Sequence, residues 1–155
     1  MGGRRLALDA FASHHNAVCE SFFSRGLEVG CAGVDATACY PRIAQIAHGG
    51  FIWAFPPFSL IYGFVAACAA HDMHACLVHP LMPNTAQDQF MRDRLEIPLR
   101  LRLAQGQAHS QNPSSGSAFV AGRFYPPGTQ VTPRLPMCVS VILGRRKGGT
   151  DRQDC

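Results

Sequence analysis

Charge is scarce in this chain: 15% of its 155 residues are Asp, Glu, Lys or Arg, and Lys147 is the single lysine. With a hydrophobic fraction of 47%, so little charge excludes an intrinsically disordered chain, because there is enough apolar surface to offset the entropy of ordering. No two of the seven cysteines stand at CxxC spacing and the count is odd. A disulfide framework is therefore not expected, and the thiols read as mostly buried in a reducing compartment, nucleus or cytoplasm. A long uninterrupted apolar run is also missing. No formal charge occurs between Arg42 and Asp72, but a membrane span needs about 20 apolar residues. Here Gly49-Gly50 and Pro56-Pro57 cut the stretch into pieces. Met1 to Asp9 carries two arginines without a sustained apolar segment, so no secretion leader is expected. There is no internal repeat.

What is present is enough sequence for one domain, read as residues 1–144, followed by a basic tail, 145–155, expected to be disordered. The formal net charge of +4 comes almost wholly from arginine, whose planar fork can grip phosphate. A strand is predicted over the run ending at Asp9, then a short helix capped by Ser13 or Asn16 and stopped at Gly26. A second short strand is expected around Val34 to Ala36, and a loop through Pro41 and Gly49-Gly50. Phe51 to Phe55, apolar at every position, reads as a central strand.

Beyond the prolines, Leu60, Ile61, Phe64, Val65 and Cys68 recur at three- and four-residue spacing, which predicts a helix with Ser59 as its cap. "HACLVHPL" reads as a strand, and Thr85 as the cap of a helix through "AQDQFMRDR". "IPLRLRL" alternates, with Ile97, Leu99, Leu101 and Leu103 on one side and Arg100 and Arg102 on the other, and Pro98 places it near a sheet edge. A mobile loop over Gln105 to Ser117 and two late strands, Phe119 to Tyr125 and Met137 to Leu143, complete an α/β layered sheet. His71, His74, Cys76 and His79 invite a metal reading. On a strand, however, His74 and Cys76 share a face and His79 takes the other, so no metal site is expected.

In order along the chain, "LALDAFASHHNAVCESFFS", "WAFPPFS", "ACLVHPLMPNT", "VAGRFYPPG" and "CVSVILG" resemble the landmarks of the phage-type DNA adenine methyltransferases. They look closest to the methyltransferase-like segment of retrotransposon polyproteins. The resemblance covers Leu6 to Gly144 and implies a Rossmann-like methyltransferase three-layer sheet, truncated at its N-terminus, since only Met1 to Arg5 precede the first strand. It implies S-adenosylmethionine as methyl donor and DNA as partner. It also carries the cofactor role onto Asp9, Ala10, Phe11, Ala12 and Asn16, with Asp35 toward a ribose hydroxyl. The target adenine would meet Phe55, Pro56, Pro57 and Phe58, and DNA phosphates would meet Arg100, Arg102 and Arg123.

Two positions depart from the family pattern. Phe55 stands where an Asn or Asp accepts a hydrogen bond from the amine, and a phenyl ring has no lone pair to offer. Ala12 stands nearest the usual glycine, so the backbone can approach a ligand less closely. These departures set a second reading beside the enzyme: a catalytically dead nucleic-acid-binding or scaffolding module from a retroelement polyprotein. A ribonuclease H type nuclease would need several convergent carboxylates for two metal ions. Only Asp9 and Asp35 are available to it.

Overall fold

The computed structural model describes residues 5–13, 15–103, 118–120, 123–125 and 136–146. In chain order the elements are β1 (Leu6–Asp9), β2 (Phe23–Ser24), β3 (Gly33–Val34), α1 (Tyr40–Ala47), β4 (Phe51–Ala54), α2 (Ile61–His71), β5 (His74–Pro80), α3 (Ala86–Arg94), β6 (Leu95–Arg102), β7 (Ala118–Val120), β8 (Arg123–Tyr125) and β9 (Met137–Arg146). Strands β7 and β8 form an antiparallel pair of their own. Five strands build the main sheet in the order β1-β4-β5-β9-β6. The first three are parallel, and β9 runs antiparallel to both β5 and β6.

The parallel pair β2-β3 continues this sheet past β1 through a single parallel bridge, Asp9 to Phe22. Asp9 N–H donates to Ser21 O at 2.9 Å, and Ala12 N–H to Phe23 O at 2.9 Å. Read across the bridge, the order is β3-β2-β1-β4-β5-β9-β6. That is the doubly wound order, with one antiparallel strand inserted before the last.

Right-handed crossovers put the connections of the two halves of such a sheet on opposite faces. All three helices belong to the second half, and they share one core with one sheet face. Leu8, Ile52, Ala54, Ala75, Leu77 and Ile142 of the sheet pack with Ile43, Ile61, Phe64, Cys68 and Met91 of the helices. The described residues of the first-half connections, 10–13, 15–21 and 25–32, hold turns and bends instead of helices. The helix expected from Ser13 or Asn16 to Gly26 does not form, so the described residues make two layers rather than three.

Local chemistry explains this. The Asn16 side-chain oxygen accepts Ser13 N–H at 2.8 Å and closes a turn. The Asp9 carboxylate holds Val18 N–H at 2.9 Å. Phe22, Phe23 and Ser24 are drawn, buried, into the strand beside β1.

Where a loop through Pro41 was expected, α1 forms. Proline is tolerated in a helix's first turn because its missing N–H has no partner there. Tyr40, Ile43, Ala44 and Ala47 then fall on the core side. The helix stops at His48, in the left-handed region at φ 46°, followed by Gly49 at φ 82°. Ser59 does not cap α2. It lies exposed inside a 3-10 turn, Phe58–Leu60, and Leu60 takes the cap position. The face of α2 agrees with the spacing, with Ile61, Phe64, Val65 and Cys68 buried.

Thr85 caps α3, its Oγ1 accepting Asp88 N–H at 3.3 Å while its hydroxyl donates to Met82 O at 2.8 Å. Acidic Asp88 in the first turn and basic Arg92 and Arg94 in the last complement the helix dipole. Thr85→Ala is expected to cost about 1 kcal/mol in urea denaturation, and Thr85→Ser only a small part of that.

Among the described residues strand β6 is an edge, as Pro98 indicated, but its alternation breaks. The register shifts between Glu96 and Leu99, so Ile97 joins the core while Leu99 and Leu101 are 47% and 55% exposed. A bulge flips every side chain beyond it to the other face. Arg100 and Arg102 thereby come to the helix side of the sheet. Strand β9 runs on to Arg146, with Arg146 opposite Leu95, so the boundary drawn at residue 144 falls inside a strand. The loop 105–117 and the tail 147–155 lie outside the described residues. Among the described residues, no helix is long and apolar enough to cross a membrane.

Candidate functional site

Strands β1 and β4 run side by side, with Asp9 opposite Trp53. From β1 the chain turns toward β2, whereas from β4 it turns toward β5, so the winding direction reverses between them. Loops at the carboxyl ends of such neighbours diverge and leave a crevice, the usual ligand position of doubly wound sheets. Here the two loops are Ala10 to Ala12 and Phe55 to Phe58. The first is tied to strand β4 by Ala10 N–H donating to Trp53 O at 3.0 Å.

Asp9 is 2% exposed. Its Oδ2 accepts Val18 N–H at 2.9 Å and its Oδ1 accepts Phe11 N–H at 3.3 Å. Burial pushes its carboxyl up to about 6, against the pull of those two amides. The loop is largely closed on itself: Ala10, Phe11, Ala12 and Ser13 each donate their N–H inside the protein. A cradle of outward amides for a bound anion is not what these residues build. They offer two half-buried aromatic rings, suited to a flat group, while the buried Asp9 carboxylate fixes the loop from within.

The rings come from both loops. Phe11 meets Phe64 of α2 edge-on, with centroids 5.7 Å apart at 75°, and Tyr40 of α1 meets the same ring at 6.0 Å. Phe58 is half-buried against the same core. Pro57 has the extended ψ of 148°, and its carbonyl accepts Leu60 N–H at 2.9 Å, closing the 3-10 turn. Pro56 is buried, and Phe55 and Pro57 are half-buried. The double proline therefore converts a central strand into a short rigid turn, with one ring beneath it and a polar acceptor missing at Phe55.

The other candidates lie apart. Asn16 is exposed and engaged with Ser13. Asp35 follows β3 in the left-handed region at φ 59° and accepts from Thr37 N at 3.2 Å and Thr37 Oγ1 at 2.5 Å, so its oxygen serves a local cap. Arg100 and Arg102 sit together on β6, three strands away from β4. Arg123 belongs to β8, whose side chains lie outside the described residues. His79 takes the face opposite His74 and Cys76, as alternation requires.

One polar cluster escaped the sequence reading. His79, Ser140 and Cys138 are buried and converge across β5 and β9. Burial, with the nearby Arg100 charge, pushes the His79 imidazole down to about 4. His79 and Ser140 are 61 positions apart, and only strand pairing makes them neighbours. No protein-family model matches this chain, and no curated protein matches it.

Proposed function

We propose that the chain is a methyltransferase-like module that receives S-adenosylmethionine at the β1–β4 crevice and a DNA adenine against Phe58, with little or no turnover. The observation that carries this reading is the reversal of strand order between β1 and β4. It brings the Asp9 loop and the Phe-Pro-Pro-Phe turn to one edge from positions more than 40 residues apart. The cofactor supplies an electrophilic methyl group on a sulfonium. In this reading Asp9 holds the loop beneath that position through its bonds to Val18 and Phe11, and the half-buried rings of Phe11 and Phe58 would pack against a flat base. An amine attacking the methyl must lose a proton and be held in line. Phe55 can do neither, which makes binding without transfer the expected behaviour.

The inward pairing of the loop amides favours a second reading, a nucleic-acid-binding module that takes no cofactor. Trp53, the only tryptophan, stands opposite Asp9 and reports on the site directly. Calorimetry with S-adenosylmethionine, paired with Trp53 fluorescence, is expected to give saturable binding. Phe55→Asn is then expected to raise methyl transfer to an adenine-containing oligonucleotide by about 100-fold, the order of the loss when one positioned site hydrogen bond is removed. No heat and no fluorescence change with the cofactor, together with salt-sensitive DNA binding, would establish the second reading instead.

A further inference from the structure

An open groove of about 680 Å³ lies between α3 and β6, lined by Leu81, Pro83, Met91, Leu95, Ile97 and Arg100 among others. Its size is that of a small-ligand site, and its walls are apolar with a few charged groups. The arginine in it is held from behind. The Pro80 carbonyl can only accept, so His79 Nδ1, 3.0 Å away, carries the imidazole proton. Nε2 therefore accepts from the Ser140 hydroxyl at 2.7 Å, and Ser140 Oγ in turn accepts Arg100 Nε–H at 2.8 Å.

Ser140 is fully buried and His79 is 5% exposed, so neither can meet a ligand. Their effect is to fix the guanidinium, whose side chain remains 32% exposed. Buried hydrogen bonds that lock one surface arginine preorganise its two terminal nitrogens for a planar acceptor. Asp88 is 2.6 Å from Arg92 but 3.9 Å from Arg100, so Arg92 is its main partner of the two.

We infer that this groove binds a small molecule with an apolar body and a single carboxylate, the carboxylate lying on the terminal nitrogens of Arg100. Asp88 and Glu96 also line the groove, and they would repel a doubly charged phosphate more than a carboxylate. The groove lies on the helix side at the β6 edge, and the inference does not rest on the methyl-transfer reading.

Octanoate, octanol and inorganic phosphate would be titrated into the isotope-labelled full chain, following the backbone amides of Leu81, Met91 and Ile97. Octanoate is expected to shift all three saturably, with octanol at least about tenfold weaker. Arg100→Lys keeps the charge and loses the fork. It is expected to weaken octanoate by about tenfold and leave octanol unchanged, with Ser140→Ala in between. Arg100→Gln, which removes the charge on an edge strand, serves as a second variant if the lysine form folds poorly. Equal binding of octanoate and octanol, indifference to both Arg100 variants, or displacement of octanoate by equimolar phosphate would each overturn the inference.

Discussion

Gly144→Ala is expected to destabilise the fold by about 3 kcal/mol or more. A Cβ at this position would overlap the backbone nitrogen, carbon and oxygen of Met73, well inside van der Waals contact. Backbone cannot rotate away as a side chain would. Relief would have to move β9 off the start of β5, at the centre of the sheet, and break the hydrogen bond from Gly144 N–H to His74 Nδ1 at 3.0 Å. Gly63 provides the contrast. On the exposed side of α2, its added Cβ would meet nothing within 4 Å, so Gly63→Ala is expected to stabilise by about 1 kcal/mol through helix propensity. Urea denaturation of the two variants beside the parent tests both. A Gly144→Ala protein as stable as the parent would contradict the close approach of β9 to Met73.

A nearly flat stability profile between about pH 4 and 6.5 is expected from two buried groups that oppose each other. Asp9 is raised to about 6 from an ordinary 3.8, so the folded state holds a proton that the unfolded state has lost. Its contribution is full below about pH 4 and disappears as pH rises through 6. His79 is lowered to about 4 from 6.5, so the folded state lacks a proton that the unfolded state holds. Its contribution is full above pH 6.5 and disappears as pH falls through 4. Each shift is worth about 3 kcal/mol at about 1.4 kcal/mol per unit, with opposite slopes over the same window.

Replacing either group unmasks the other. Asp9→Asn is expected to lose stability steadily as pH falls from 6.5 to 4, and His79→Gln to gain stability over the same fall, each by about 3 kcal/mol. Thermal melts at half-unit pH steps would show it. Two variants with identical, flat profiles would mean that these groups are not buried as described.

The candidate site was legible in its parts. Asp9 at a strand end, the prolines after Phe55 and the rings of Phe11 and Phe58 are all local features, and each could be read from neighbouring residues. What they do together was not local. The pairing of Asp9 with Trp53, and the reversal of winding beside it, depend on which strand chose which neighbour. The groove was missed for the same reason. His79, read as part of a histidine run, acquires its meaning from Ser140 and Arg100, which reach it through β9 and β6.

By itself, the sequence determined the elements whose signals lie within one turn or one strand. The all-apolar β4, the largely apolar β5, the periodic face of α2 and the Thr85 cap of α3 each follow from contacts a few residues apart. Tertiary structure decided wherever a distant partner competed with a local preference. The Asp9 carboxylate took the Val18 amide and, with the bridge to Phe22, replaced an expected helix by an extended loop. A bulge after Glu96 turned Leu99 and Leu101 outward and brought Arg100 onto a buried serine. A hydrogen bond or a register shift supplied from elsewhere in the chain can outweigh the few tenths of a kcal/mol per residue that separate local conformations.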